Sequence, residues 1–431
     1  MSGRTGSILF LLLAAAFLAA NRGAYRGYFQ DDEFNTLSWT RNSPVSEYVT
    51  AALTPLFLTN NFRPVGHFYF RVAERIFGLD FRGYVAALQV LHLLNVWLVW
   101  LLARRLGARP WPAVAACLFF TFHMALFDAL WKPMYVFDVL CATFCLLSML
   151  LYARGQWLLS FAAFWLAYKA KELAVMLPLV LACYEIWFGQ RRWKPLIPFF
   201  AVSLSFGIQG LLLNPNKDND YTFRFTLAAL AATVRFYAGL VFLVPYLGLL
   251  LPLAAWRAPN RRTFFGLAAM GLFFFPLLFL PGRLHPAYCY VPFTGLAIAL
   301  AGICEAIRPA WAALFLLLWA PRDLEVLHLD RRETLARDGQ VRAWVTSVET
   351  FAKYGRPVEA FVFSGAPEGF HRWGVEGALS YVFKRDDLRI YSADESAVPQ
   401  VLASGRVALL EWGGTSLSII DHDPGEATAA K

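Results

Sequence analysis

Apolar residues run along this chain in blocks of about twenty, and polar residues gather between the blocks. A block of that length crosses a hydrocarbon core as a helix; Gly107–Asp128 and Pro195–Leu213 are two examples. Read this way, the pattern predicts spans at Ser7–Ala20, Tyr84–Leu102, Pro112–Leu130, Val136–Tyr152, Trp157–Tyr168 and Leu173–Phe188. Further spans follow at Leu196–Leu213, Tyr237–Trp256, Phe264–Leu280, Tyr288–Ile307 and Ala310–Ala320. The total is about eleven, and basic residues cluster at alternate ends, as the positive-inside rule expects. Arg104, Arg105, Arg109, Arg154, Arg191, Arg192, Lys194, Arg257, Arg261, Arg262 and Arg308 then lie on the cytoplasmic side. Arg22 and Arg26, just outside the first span, depart from the rule. Ser7–Ala20 has the make-up of a signal peptide, but a retained helix is preferred because it anchors the acidic motif that follows.

Two segments stand outside the membrane in this topology, the long stretch 24–82 and the polar loop Asn214–Arg224. Beyond Ala320 the pattern changes and charges return. Val358–Phe363, Leu388–Tyr391 and Val407–Trp412 read as strands, and Trp373–Phe383 has helical spacing. Ser364–Gly369 reads as a turn rather than a phosphate loop. The expected architecture is an α-helical polytopic membrane domain, 1–321, with outer loop 24–82, followed by a small extracytoplasmic α/β domain, 322–431, able to fold by itself.

Composition agrees: the chain is 58% hydrophobic and only 16% charged, where soluble domains carry about 25%. A soluble enzyme is therefore excluded. The net charge of +9 does not point to nucleic acid, because the basic residues sit at span ends and no basic-aromatic patch appears in the polar part. Basic groups there face anionic lipid instead. The six cysteines lie in apolar stretches with no CxxC pair and read as small buried hydrophobes.

Four polar groups carry candidate chemistry, all on the outer side. Asp31-Asp32-Glu33 follows the first span, and acids beside a membrane are costly unless solvated, paired or functional. A carboxylate there suits a general base that takes the proton of an attacking hydroxyl. His123, Asp128, Lys132 and Asp138 lie in the turn between the third and fourth spans and must face water or a cavity. Lys171 and Glu172 end the fifth span. Arg283, His285, Tyr288 and Tyr290 precede or open the tenth, with Arg63 a further outer cation. Lysine meets a phosphate as a point charge and arginine as a bidentate fork, so both suit a lipid-linked phosphate. The alternative for each group is an ordinary solvated loop or an interfacial snorkelling side chain.

Taken in order, these motifs resemble the GT-C superfamily of membrane glycosyltransferases. The nearest likeness is to the O-mannosyltransferases that carry transmembrane and tetratricopeptide-repeat regions, and to their bacterial relatives. The acidic pair, Phe62-Arg63-Pro64 and Phe77-Gly78-Leu79-Asp80 carry it, with His123, Asp128 and Asp138 matching the spacing of the family's second outer loop. Ala170-Lys171-Glu172 leading to Leu177-Pro178, and Arg283 through Pro292, match two later motifs. Met124, Asp128 and Val136 stand where Pro, Glu and Arg are usual, and no tetratricopeptide repeats follow. The resemblance implies an inverting transfer of a sugar from a polyprenyl-phosphate donor to an acceptor glycan, lipid or protein outside the cytoplasm of an inner-membrane protein. It implies Asp31 or Asp32 as base, Lys171, Arg283 and Arg63 at the leaving phosphate, and His123, Asp128 and Asp138 shaping the cavity. Glu172, His285, Tyr288 and Tyr290 complete the expected substrate-binding set. No cofactor is expected: Asp and His could supply ligands to a divalent metal, but no His, Cys or Asp spacing indicates one. The rival readings are a transporter or flippase of lipid-linked sugars, and a non-catalytic assembly protein. Transporters often show internal repeats and midplane charges, neither of which appears here.

Overall fold

The structure, a computed structural model, describes residues 3–55, 62–213 and 219–424. Residues 56–61 of the expected outer loop 24–82 and Asn214–Asp218 of the expected polar loop lie outside the described residues. The chain divides into two compact units. The first comprises Met1–Arg22, Val45–Gly66 and Val85–Leu329, and the second Gly23–Pro44, His67–Tyr84 and Asp330–Lys431.

The first unit is helical. Among the described residues four helices are long and apolar enough to span a membrane: Phe81–Arg105, Pro133–Ala153, Arg261–Phe279 and Pro286–Glu305. A fifth is a pair bent by 45°, Pro110–Phe122 and Met124–Trp131. These helices do not confirm the expected count of about eleven spans, and local chemistry explains two of the breaks. The predicted span Tyr237–Trp256 divides into Leu227–Val241 and Leu251–Arg257, because Leu243 and Tyr246 take positive φ around Pro245. The predicted span Pro112–Leu130 breaks at His123, where the backbone is extended. The freed Met124 N–H there donates to the buried Asp323 carboxylate at 2.8 Å.

Polar side chains tie the helices together. The buried Tyr290 hydroxyl meets His92 Nδ1 at 2.8 Å and accepts from Asn95 Nδ2 at 3.1 Å. Asn95 also donates to the Val139 carbonyl, and His92 Nε2 lies 3.2 Å from the Thr121 carbonyl. The network centred on this phenol thus joins four helices by hydrogen bonds that have no competing water in an apolar bundle. Helices Arg261–Phe274 and Tyr290–Glu305 approach so closely at Gly266 that a Cβ there would strike the Ala299 backbone. This is the small-residue contact that membrane helices favour.

The second unit contains a four-stranded sheet, β1 Ala360–Ser364, β2 Arg389–Ser392, β3 Val407–Trp412 and β4 Leu417–His422, in the order β2-β1-β3-β4. β1 is parallel to β2 and β3, and β3 is antiparallel to β4. Helix Arg372–Phe383 connects β1 to β2, and Val398–Ser404 connects β2 to β3. Ala360, Val362, Val398 and Val407 form the buried core on one side. On the other, Phe361 packs on Phe383 with ring centroids 4.8 Å apart. The alternation along β1 thus serves both faces.

Two upstream segments complete this unit. Helix Asp31–Thr40 packs on helix Arg372–Phe383, where a Cβ at Gly377 would lie 2.5 Å from Asn35 N. Arg41 donates to the Tyr381 and Ser380 carbonyls at 2.6 and 3.1 Å and so caps that helix's C-terminus. Asp338, buried, accepts from Tyr28 N at 2.8 Å and Gln30 Nε2 at 2.6 Å. The expected boundary at 321/322 falls inside the 46-residue helix Pro309–Tyr354. A tail cut there would lack the Asp31–Thr40 helix against which Gly377 and Phe370 pack.

Gly377→Ala should therefore destabilise the protein by about 1–3 kcal/mol, the usual range for an overpacked contact. Gly339→Ala, in helix Pro309–Tyr354 with nothing within 4 Å of its added Cβ, should be neutral or slightly stabilising. Thermal denaturation in detergent separates the two, and equal midpoints would refute the close packing of Gly377.

Candidate active site

Eight of the expected binding residues converge in the first unit. Lys171 is the first extended residue after helix Trp157–Ala170, and its Nζ meets Asp138 Oδ1 at 2.5 Å. Asp138 lies in the first turn of helix Val136–Ala153 and is buried, so its charge requires that partner. Arg63 Nε pairs with Glu172 Oε1 at 2.7 Å, and its guanidinium lies 5.5 Å from the Phe137 ring centroid. Lys132 Nζ pairs with Asp128 Oδ1 at 2.6 Å. Asp128 Oδ2 also stands 3.6 Å from His285 Nε2, which meets the Tyr135 hydroxyl at 2.9 Å. His285 Nδ1 accepts from Ala287 N, so its proton sits on Nε2. Burial depresses this imidazole below its ordinary pKa, with Asp128 partly offsetting that effect.

Tyr288 links the two halves of the group. Its ring lies 4.6 Å from Lys171 Nζ, and its hydroxyl accepts from Arg283 Nη2 at 2.9 Å. Arg283 also stacks over Tyr221 at 4.5 Å. Among the described residues, Arg283 is the one cation of this group whose hydrogen bond goes to a neutral phenol rather than a carboxylate, and its buried Nε has no partner. A half-buried guanidinium with an unspent donor has bonding capacity left for an acceptor.

Two expected binding residues lie elsewhere. His123 is fully buried; its Nδ1 accepts from Ala125 N at 3.1 Å and its Nε2 donates to the Val241 carbonyl at 2.9 Å. Tyr290 is buried in the interhelical network described above. The bonding capacity of both ring systems is spent on the bundle. Among the described residues no three His, Cys, Asp or Glu side chains stand together as metal ligands would.

The acids of the second unit form a separate group at the N-terminus of helix Asp31–Thr40, where the helix dipole favours negative charge. Asp31 and Asp32 reach different partners. Asp31 Oδ1 accepts from His371 N at 2.8 Å and its Oδ2 lies 2.5 Å from His371 Nδ1. Asp32 Oδ1 accepts from Trp373 Nε1 at 3.1 Å. Burial raises the Asp31 carboxyl above its ordinary pKa, and the His371 bonds pull it back down. Glu33 turns inward, is buried and accepts from Gln30 N at 3.1 Å, so it serves as a helix cap. Sequence reasoning missed His371 and Trp373. The available signal was a pair of exposed-type aromatics, His371 and Trp373, at i and i+2 around the start of a predicted helix.

No protein-family model matches the sequence, and no curated protein matches it. Solved structures do. ArnT from Cupriavidus metallidurans bound to undecaprenyl phosphate is similar with a TM-score of 0.54 and 13% identity, over 96% of this chain and 94% of that one. Its apo state is similar with the same TM-score and coverage and 12% identity. The Archaeoglobus fulgidus oligosaccharyltransferase, tethered to an acceptor peptide containing the NVT sequon, has a TM-score of 0.51 and 12% identity. That likeness covers 90% of this chain and 64% of that one. The chain is thus a multi-pass membrane protein with the GT-C fold, the fold its four motifs led one to expect.

The buried pair yields a stability test. Lys171→Met leaves Asp138 charged and unpaired and should cost about 3–5 kcal/mol. Adding Asp138→Leu removes the stranded charge and should recover most of that loss. Detergent unfolding of the three proteins measures it; a double variant as unstable as the single one would show that the pair is not coupled.

Proposed function

We propose that the protein transfers a sugar from a polyprenyl-phosphate donor to an acceptor hydroxyl on the extracytoplasmic side of the cell inner membrane, with inversion at the anomeric carbon. The observation that carries this reading is Arg283, a partly buried cation with unspent donors, on a fold that in ArnT was solved with undecaprenyl phosphate bound. In the proposed reaction the leaving phosphate gains negative charge as the sugar–oxygen bond breaks, and fixed cations aimed at that oxygen lower the barrier. Arg283 holds the phosphate with Lys171 and Arg63 beside it, each kept in place by Asp138 or Glu172. Asp128, His285 and Tyr288 set the shape and polarity of that pocket. The proton-accepting chemistry centres on Asp31, with Asp32 holding the neighbouring Trp373. The acceptor is a glycan, lipid or protein hydroxyl. The reaction as proposed uses no cofactor.

Sugar transfer from a polyprenyl-phosphate donor in proteoliposomes tests the proposal. Arg283→Ala should lower the rate roughly 10²–10³-fold, as loss of one transition-state donor does. Arg283→Lys should fall between it and wild type, because the charge remains and the planar fork is lost. Asp31→Asn should lose about 10²–10⁴-fold, Asp32→Asn less, and Glu33→Gln should stay active because glutamine also serves in this cap. Normal turnover by both aspartate variants and Arg283→Ala would sink the transferase and bring the transporter forward.

Orientation is tested by labelling. Cysteines at Asn219 and Gly365, both exposed, should react with an impermeant thiol reagent from the extracytoplasmic face, and one at Gln190 should not. The reverse pattern would place the polar groups in the cytoplasm and overturn the proposed site.

A further inference from the structure

The segment Phe370-His371-Arg372-Trp373, to which neither the motifs nor the fold assigns a role, contains the direct partners of both outer acids. The His371 and Trp373 rings stack at a centroid distance of 4.5 Å and an interplanar angle of 3°. Asp31 grips His371 twice, through its backbone N–H and through ring Nδ1. The imidazole is therefore fixed on three sides, by a carboxylate, by its own backbone and by an indole face. Against an ionised carboxylate 2.5 Å away, Nδ1 is the ring nitrogen that carries the proton. The lone pair then resides on Nε2. Among the described residues Nε2 has no hydrogen-bond partner, and the His371 side chain is 56% exposed while that of Asp31 is 13% exposed. A partly buried carboxylate, an oriented imidazole and an open lone pair in sequence constitute the orienter–base arrangement of nucleophile-activating dyads.

We infer that Asp31 and His371 form a catalytic dyad in which His371 Nε2 takes the proton of the acceptor hydroxyl and Asp31 holds the ring in the productive tautomer. The inference rests on the proposed transferase reading and changes which atom does the proton transfer. In the step, the acceptor O–H bond breaks and its proton passes to Nε2. The acceptor oxygen forms a bond to the anomeric carbon while the bond from that carbon to the phosphate oxygen breaks, and its electron pair leaves with the polyprenyl phosphate. The imidazolium is stabilised by the Asp31 carboxylate and afterwards returns its proton to water. Asp31 is then a positioning residue, and Trp373 supports the ring while its N–H occupies Asp32.

A purely structural role for these bonds is the competing account, since they also fasten helix Asp31–Thr40 to helix Arg372–Phe383. The backbone bond from His371 N to Asp31 Oδ1 suffices for fastening and survives any change of side chain. The experiment uses that difference, with the full-length chain in proteoliposomes and a polyprenyl-phosphate sugar as donor. His371→Asn keeps an N–H donor near the Nδ1 position and removes the base at Nε2, so its thermal midpoint should match wild type while transfer falls roughly 10²–10⁴-fold. His371→Ala should regain activity when imidazole is added to the buffer, and Asp31→Asn should not. If His371→Asn transfers at the wild-type rate while Asp31→Asn is inactive, the dyad is wrong and Asp31 acts alone, with the transferase reading intact. If His371→Asn loses stability as well as activity, the imidazole experiment decides: recovery of His371→Ala supports the dyad and no recovery overturns it. Wild-type transfer by Arg283→Ala together with both sets of variants would instead remove the transferase reading itself.

Discussion

A charge taken out of water must find its countercharge within the protein, and the polar anatomy of the helical unit follows from that constraint. Asp138 is buried in the first turn of its helix, and Lys171, arriving from the end of another, neutralises it. Glu172, the next residue, does the same for Arg63, so consecutive side chains serve opposite partners. These pairs fix where the ends of three helical segments stand, and Tyr288 lies against Lys171 and bonds Arg283. Within this group and among the described residues, Arg283 is the cation that bonds a phenol instead of a carboxylate. The same constraint, applied to neutral groups, produces the Tyr290 network and the bonds of His123. Most polar residues of the apolar bundle are thus bonded within it.

The second unit obeys a different constraint, close approach. Gly377 and Gly374 allow helix Arg372–Phe383 to lie against helix Asp31–Thr40 with backbone nearly touching backbone. That contact brings His371 and Trp373, at the start of one helix, to Asp31 and Asp32 at the start of the other. Residues 340 positions apart become hydrogen-bond partners because two glycines lack side chains. The acids' separate partners follow from the helix itself, since neighbouring residues on a helix point about 100° apart.

The likeness to ArnT and to an oligosaccharyltransferase at 12–13% identity is a likeness of architecture. Function is held by sites placed on a fold, and in this chain the proposed site consists of Arg283, Lys171, Asp31 and His371. One of the similar structures was solved with undecaprenyl phosphate bound.

By itself the sequence determined the membrane class, the positions of several apolar helices to within a few residues and three strands of the sheet, because these depend on local periodicity and apolar length. Val407–Trp412 matches its prediction end to end, and Val136–Ala153 and Trp157–Ala170 start where expected. The sequence also marked Asp128, Asp138, Lys171, Glu172 and Arg283 as candidates, since charges near apolar runs are conspicuous wherever they occur. It did not separate these from His123 and Tyr290, which look equally polar on the page and are used up inside the bundle. Tertiary structure alone decided that, along with the breaks at His123 and Pro245, the joining of 23–44 and 67–84 to the tail, and the pairing of Asp31 with His371. The physical reason is common to all of them. Which partner a polar group bonds, and which backbone a glycine admits, depends on residues far away in sequence, and no local pattern encodes that distance.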